Sequence, residues 1–385
     1  MRVLGLLSGT SHDGIDVTVV DFQETDGALR GTVLHEDSVP YAPELRARLV
    51  AALPPAQASF AEMCELDTLI GQAFAAVAAD AAAAIGGVHA VCTHGQTVFH
   101  WVDEGHALGT LQIGQPAWIA ERVGAPVVSD VRIRDITAGG HGAPLVSFLD
   151  ELLLRGRAGT SAALNLGGIA NITIVGDGIS AYDIGPANAL VDAVVVAEEL
   201  NDLGYDEDAA IASTGTVDQA LLDALLADPY YALPAPKSTG KEHFHLDYVR
   251  ALVDAHGGIG VADLIRTLTE LTVQTVANDI RAAGIDYLAV SGGGCRNPLI
   301  MKGLRDALPE VEVVLADELG ASADNKEAVL FALIGWCTLH GVPAVIPGGT
   351  GARAPRILGT ITPGTGPLRL PEPVAAVTSL VLHTP

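Results

Sequence analysis

The apolar residues of this chain fall into two kinds of stretch. Short β-branched runs closed by Gly, Ser, Thr or Asp alternate with longer segments of helical period, which predicts an α/β protein. Residues 3–7 and 15–22 are two such runs, and Ser8-Gly-Thr-Ser-His-Asp-Gly14 between them reads as the turn of a hairpin. Gly9 and Gly14 let the backbone approach a ligand where a Cβ would collide, while Ser8, Thr10 and Ser11 offer hydroxyl and N–H groups. The loop is therefore either a phosphate cradle or an ordinary polar turn. Residues 161–175 repeat the device, with a Gly167-Gly168 turn flanked by Asn165 and Asn171. A third glycine loop, Gly292-Gly293-Gly294, follows the apolar run 287–291 and precedes a helical segment at 298–308. Neither Gly-x-x-x-x-Gly-Lys-[Ser/Thr] nor a strand-borne Gly-x-Gly-x-x-Gly is present, so the P-loop and Rossmann fingerprints do not apply.

Between the two hairpins, 30–38 reads as a strand, 43–52 and 59–85 as helices, and 88–98 as a buried strand ending in polar residues. Ligands gather at such strand ends in open α/β sheets, which makes Thr93, His94 and Gln96 candidates, although a lone His there equally serves as a satisfied structural group. Residues 110–120 turn into a helix and 125–130 form another strand. Alternation along Asp130-Val-Arg-Ile-Arg-Asp135 puts Arg132 and Arg134 on one side, either for an anionic substrate group or for salt bridges to the flanking aspartates. Gly139-Gly-His-Gly142 reads as a flexible, hinge-like loop, 144–154 as a helix, and 155–160 as a linker, giving domains 1–158 and 159–385. In the second, Asp183 ends a short strand and Asn188 opens a helix at 189–199, so Asp183 is a poised base or a turn cap. Residues 205–208 read as solvated acid and 234–242 as a polar loop, with His243 and His245 on one strand face and no third ligand for a metal. A long amphipathic helix at 261–283, a strand at 309–316 and a helix at 325–337 follow, the last with Glu327 complementing its dipole. The Gly/Pro-rich tail 348–364 lines a nucleotide site or closes the fold.

Composition narrows the partners. The 385 residues are 49% hydrophobic, enough for two α/β cores. Lys+Arg 21 against Asp+Glu 46 leaves a net charge of −25, a field that repels nucleic acid and anionic membranes. An anionic substrate must then be held locally, by backbone N–H groups, Mg²⁺ or a well-placed Arg. The four cysteines, Cys64, Cys92, Cys295 and Cys337, lie far apart and read as reduced thiols rather than a zinc or disulfide set. Ser8 and Gly9 break the first apolar run before any cleavage site, so no signal peptide is expected and a cytoplasmic protein is.

The duplicated hairpins with a late glycine loop for the nucleoside resemble the plan of the sugar kinase, heat-shock chaperone and actin superfamily. More specifically, Leu6-Leu-Ser-Gly-Thr-Ser-His-Asp-Gly-Ile-Asp16, Thr93-His-Gly-Gln-Thr97, Leu111-Gln-Ile-Gly114, Asp130-Val-Arg132, Ala138-Gly-Gly-His-Gly-Ala-Pro-Leu145, Leu164-Asn-Leu-Gly-Gly-Ile-Ala-Asn171, Tyr182-Asp-Ile-Gly-Pro-Ala-Asn188 and Pro236-Lys-Ser-Thr-Gly240 resemble, in order, the motifs of anhydro-N-acetylmuramic acid kinases. The resemblance implies a two-domain α/β fold of the sugar kinase/actin-like (ribonuclease H-like) type with an interdomain active-site cleft. It implies ATP and Mg²⁺ as cofactors, and conversion of 1,6-anhydro-N-acetylmuramic acid with water into N-acetylmuramic acid 6-phosphate in cell-wall recycling. The nucleotide segment would be Gly9, Thr10, Ser11, His12, Asp13, Gly14, Ile15 and Asp16, with Gly167, Gly168, Gly292, Gly293 and Gly294 as further nucleotide positions. Asp183 would be the catalytic base with Glu327 in support, and Thr93, His94, Gln96, Arg132 and Asn188 would meet the sugar. His12, His141, Ala187 and Ser147-Phe-Leu-Asp150 depart from the family pattern. Two other readings stay open here: a kinase for another 1,6-anhydrosugar such as levoglucosan, and a non-catalytic anhydrosugar sensor. A homodimer is left open, as is the identity of any metal ligands.

Overall fold

The computed structural model describes residues 1–9, 11–103, 105–235, 237–240, 243–320 and 325–384, with residue 347 described by its backbone alone. Thr10 of the predicted nucleotide loop lies outside the described residues. The chain divides into two units, Met1–Arg155 with Leu319–Pro385, and Gly156–Glu318.

The first unit opens with the expected hairpin. β1 (Arg2–Ser8) and β2 (Gly14–Thr25) pair antiparallel, from Arg2 opposite Asp21 to Leu7 opposite Asp16, and β3 (Ala28–Pro40) continues the meander. β1 is buried on both faces, as its unbroken apolar run requires of a central strand. α1 (Pro43–Ala52) and α2 (Phe60–Ala84) follow, the latter capped by Ser59, which accepts from Glu62 N–H. β4 (Ala90–Asp103) pairs parallel to β1 and extends into a hairpin with β5 (His106–Ile113), a strand the sequence pattern did not predict. α3 (Pro116–Val123), β6 (Val127–Ser129), α4 (Ile133–Thr137) and α5 (Val146–Leu154) complete the segment. Leu4, Leu6, Ile15 and Val17 pack with Leu66, Ile70 and Phe74 of α2 to form one core layer. Among the described residues α2 is the one helix long and apolar enough to cross a membrane, and half of its most apolar window is buried in that layer.

The second unit repeats the plan. β7 (Ser161–Leu166), β8 (Ile169–Val175) and β9 (Ile179–Pro186) form an antiparallel meander. α6 (Ala189–Ala197), α7 (Gln219–Leu226), α8 (Leu246–His256) and α9 (Val261–Ala283) precede β10 (Tyr287–Ser291), α10 (Pro298–Ala307) and β11 (Glu312–Leu315). β10 runs parallel to β7, and β11 parallel to β10. The order β9-β8-β7-β10-β11 matches β3-β2-β1-β4-β6 of the first unit strand for strand, three antiparallel and then two parallel. This is the duplicated ribonuclease H-like arrangement expected of the sugar kinase/actin-like class. α9 and α10 cover one face through Val273, Val276, Ile300 and Leu304.

The domain boundaries need correction. The linker falls where expected, at Arg155, but the second domain does not run to 385, because the chain returns to the first unit at Leu319. There it forms α11 (Lys326–Leu339), α12 (Pro347–Thr350), β12 (Thr360–Thr362) and β13 (Ser379–His383). β12 pairs with β6, and β13 with β3. α11 is apolar nearly all round, so it must be covered on every side, and the free face of the first sheet provides that cover. It lies so close to β1 that a Cβ on Gly5 would stand 2.0 Å from Ala328 O. The buried ion pair of Lys326 with Asp150 of α5 fixes its start.

Gly5→Ala should therefore overpack this contact and lower stability by more than the ~1–3 kcal/mol usual for an added methylene. Urea midpoints of the variant and the parent chain would measure it, and an unchanged midpoint would refute the contact.

Candidate functional site

In the first unit the hairpin loop is braced from β4. Gln96 is fully buried; its Oε1 accepts from Ser8 Oγ at 2.7 Å and its Nε2 donates to Gly9 O at 3.2 Å. His12 sits at φ 54°, where its backbone O accepts from Arg46 Nε at 2.9 Å, and Ser11 Oγ donates to Asp13 Oδ1 at 2.7 Å. The glycines differ in what they face. A Cβ at Gly14 would lie 2.6 Å from Val39 O, so glycine is needed there by β3 rather than by a ligand. At Gly9 the nearest atom to such a Cβ would be Ser11 Oγ at 3.7 Å, which leaves the space over the loop open. Ile15 is buried in the core, and Asp16 Oδ1 accepts from Ser38 Oγ at 2.7 Å.

Arg132 and Glu327 face one another in the same unit. The predicted extended stretch is instead the start of α4, with Arg132 in αR geometry at its N-cap, so alternation does not set the two arginines' directions. Arg132 Nε donates to His94 Nε2 at 2.7 Å and its Nη1 to Gly142 O at 2.5 Å. His94 is buried, donates from Nδ1 to Gly95 O at 3.0 Å, and packs its ring 4.9 Å from Phe331 of α11. Burial, with Arg132 adding repulsion, pushes its pKa down to about 3. Glu327 keeps solvent access but is crowded enough that desolvation raises its carboxyl above the ordinary value; Arg132 pulls it back, and Asp16 pushes it further up. The loop 139–142 is pinned rather than hinge-like: fully buried Asp135 accepts from Gly142 N–H at 2.7 Å and from Thr350 Oγ1 at 2.8 Å, while His141 N–H donates to Thr350 O. A cavity of about 460 Å³ borders this group, lined by Asp67, Thr93, His94, Gln112, Ser129 and Asp130 among others. Thr93 contributes its wall, with Oγ1 accepting from Gly95 N–H at 3.2 Å.

In the second unit Asp183 lies within β9, not at a strand end, next to a register shift opposite Asn171. Its backbone N–H donates to Lys237 O, and its backbone O accepts from Tyr230 Oη at 2.7 Å. Carboxylate Oδ2 accepts from Ser238 Oγ at 2.9 Å and Thr239 N–H at 3.0 Å, which leaves Oδ1 without a partner among the described residues. The second hairpin turns its carbonyls to α6: Gly168 O accepts from Ala187 and Ala189 N–H, and Gly167 O from Asn188 N–H. Asn188 Nδ2 also donates to Leu166 O and Gly167 O, which ties it to that hairpin. Gly292, at φ +84°, and Gly294 pack against β7, where Cβ atoms would stand 2.5 Å from Asn165 Oδ1 and 2.7 Å from Leu166 Cβ. Gly293 faces open space and lines a cavity of about 390 Å³ with Asn188, Asp192, Tyr205, Arg296 and Asn297. That volume suits a nucleoside. The acidic stretch is not all solvated: Asp206 is buried and accepts from Ile211 and Ala212 N–H. His243 pairs with Asp228 at 3.0 Å and His245 caps α8, so no strand joins them.

Comparison with known proteins decides the family. The model of the family described as anhydro-N-acetylmuramic acid kinase matches residues 1–364. The chain belongs to the anhydro-N-acetylmuramic acid kinase family. Relatives with that name include one from Rhodococcus erythropolis, 49% identical over 95% of both chains, and one from Streptomyces coelicolor, 50% identical over 97% of this chain and 96% of its own. A third, from Streptomyces avermitilis, is 52% identical over 96% of this chain and 97% of its own. Among solved structures, the activator of the 2-hydroxyisocaproyl-CoA dehydratase from Clostridium difficile with bound ADPNP covers 87% of this chain and 94% of its own at TM-score 0.43 and 10% identity. That likeness is too loose to carry any assignment.

Against the anhydro-N-acetylmuramic acid kinase pattern, the departure at Asp150 has a structural account, because Asp150 pairs with Lys326 in the interior. Ser238, Thr239 and Asp135 were not singled out from sequence as site residues. The signals were there: a Ser-Thr pair in a polar loop, and an aspartate between Ile133 and Ile136, just before the Gly139-Gly140 run.

Gly9→Val should fold normally, since its Cβ meets open space, yet weaken ATP binding by filling that space. Titration calorimetry with unchanged circular dichroism would check this. His94 supplies a pH signature as well. It is neutral when folded and protonates near 6.5 when unfolded, so its share of stability is complete above about pH 6.5 and is lost as pH falls toward 3. His94→Gln should flatten the stability–pH curve in that window by up to ~1.4 kcal/mol per pH unit, read from urea denaturation.

Proposed function

We propose that this chain is a kinase that opens the 1,6-anhydro bridge of 1,6-anhydro-N-acetylmuramic acid with water and phosphorylates O6. The observation that carries the reading is Asp183, whose Oδ2 is fixed by Ser238 and Thr239 while Oδ1 has no partner among the described residues. A carboxylate so held cannot rotate away from its target, and its remaining oxygen can take a proton from water attacking C1. Bond breaking at C1–O6 leaves charge on O6, which the γ-phosphoryl group of ATP accepts in line. The hairpin loop around Gly9 and the cavity at Gly293 are the nucleotide positions this reading uses, with Arg132 as the contact for an anionic or polar group of the sugar.

The carboxylates fit a divalent cation. Desolvation is the main reason the Glu327 carboxyl is raised, and Asp16 adds a smaller repulsion to it; no cluster of three or more His, Cys, Asp or Glu that could hold a metal assembles among the described residues. Mg²⁺ suits such a place, since it takes one or two carboxylates and completes its shell with phosphates and water. Asp16 and Glu327 would hold it. Bound there, it would neutralise phosphate charge.

The test is direct. With MgATP the protein should consume the anhydro-muramic sugar and release ADP and a 6-phosphosugar, carrying ¹⁸O from labelled water at the anomeric carbon. Asp183→Asn should bind both substrates and lose ~10²–10⁴-fold in kcat. Turnover of levoglucosan with none of the muramic sugar, or near-normal kcat in that variant, would overturn the reading.

A further inference from the structure

The family resemblance implies His94 as a sugar contact, yet both of its ring nitrogens are already engaged. Nδ1 donates to Gly95 O at 3.0 Å, and Nε2 receives Arg132 Nε–H at 2.7 Å. A guanidinium has only donors, so the imidazole nitrogen it meets must present a lone pair. With the proton fixed on Nδ1, Nε2 does so, and the tautomer is determined by its two partners. The ring is also clamped from the side, 4.9 Å from Phe331, which lies one helical turn after Glu327 on α11. One imidazole thus registers Arg132 against the helix that carries Glu327. Gly142 O takes a second guanidinium hydrogen, and buried Asp135 holds Gly142 in place.

We propose that His94 is a positioning residue, which as its Nδ1–H tautomer holds the Arg132 guanidinium in one pose for the sugar substrate and does not itself touch that substrate. The proposal rests on the reading of Arg132 as a sugar contact given above. Burial supports it: with its pKa driven well down, the ring stays neutral wherever the enzyme is folded. A protonated His94 would lose its acceptor and place a second positive charge against Arg132.

The experiment is a double-mutant cycle on the full chain, reading kcat and KM for 1,6-anhydro-N-acetylmuramic acid at saturating MgATP. His94→Phe keeps the ring packing on Phe331 and removes the acceptor; it should lower kcat/KM for the sugar by about 10–100-fold, as for loss of a hydrogen bond to a charged group, with KM for ATP unchanged. His94→Gln, which restores an acceptor oxygen, should recover most of that loss. In an Arg132→Lys background, His94→Phe should change little more, because the guanidinium it serves is gone. Additive losses would overturn the proposal, as would a His94→Phe enzyme with full sugar kcat/KM beside an impaired Arg132→Lys. Full activity of Arg132→Lys would instead remove Arg132 as the sugar contact. Should His94→Phe not fold, ¹⁵N-histidine spectra of the parent chain, assigned by the signals lost in His94→Gln, should give protonated Nδ1 and bare Nε2 at pH 5.5. An imidazolium or Nε2–H form there would refute it.

Discussion

The first unit depends on the contact between α11 and the first sheet. Two glycines make it, one from each side: Gly5 of β1 lies under Ala328, and Gly335 of α11 lies over Cys92 of β4, where a Cβ would meet another at 2.7 Å. Neither position tolerates a side chain, so helix and sheet approach more closely than ordinary packing allows. Three features of the candidate site follow from that one approach. Glu327 is presented from the start of the helix, Lys326 is buried onto Asp150, and Phe331 supplies the wall against which His94 rests. All come from a segment far along the chain from β1. The site of the first unit is therefore assembled by the return of residues beyond Leu319, and a chain cut after the second sheet would lack it.

The glycine loops, alike in sequence, divide on physical grounds. Gly14, Gly292 and Gly294 are crowded by Val39, Asn165 and Leu166, so their lack of a side chain is consumed inside the fold. Gly9 and Gly293 border open space. Ligand recognition is better argued from the second pair than from the crowded three, because there the missing Cβ leaves room that something else can occupy. The crowded glycines still matter, since they let the open ones stand at the surface of a rigid frame.

Much of this architecture was legible in sequence. Both hairpins, the helix at Val261–Ala283 and the third glycine loop lie where apolar runs and turn residues put them, because buried strands and amphipathic helices leave period and punctuation behind. What the pattern could not reveal is long-range pairing. β12 and β13 are short, the first inside the Gly/Pro-rich tail and the second beyond it, and only their partners β6 and β3 make them strands. The same limit governed the site. Asp183 and Arg132 were visible as residue types in polar breaks, but Arg132 was placed on a strand when it starts a helix. Thr93, His94 and Gln96 lie inside β4, which runs on to Asp103, rather than at its end, and their side chains are turned to internal partners. A polar residue that breaks an apolar strand is equally the signature of a ligand contact and of a brace for one.

That distinction explains how a chain with net charge −25 can present a cation. Lys326 is buried against Asp150, and its charge is matched on contact. Arg132 is treated differently. Its direct partners are an imidazole lone pair and a peptide carbonyl, both neutral, and the nearest attracting carboxylates, Glu327 and Asp135, act on it through space. Neutral acceptors fix a guanidinium in orientation without cancelling its charge, whereas a carboxylate at the same distance would do both. The guanidinium is thus oriented and only partly compensated. Holding Arg132 with His94 rather than with an aspartate leaves its charge uncancelled on contact in so acidic a protein.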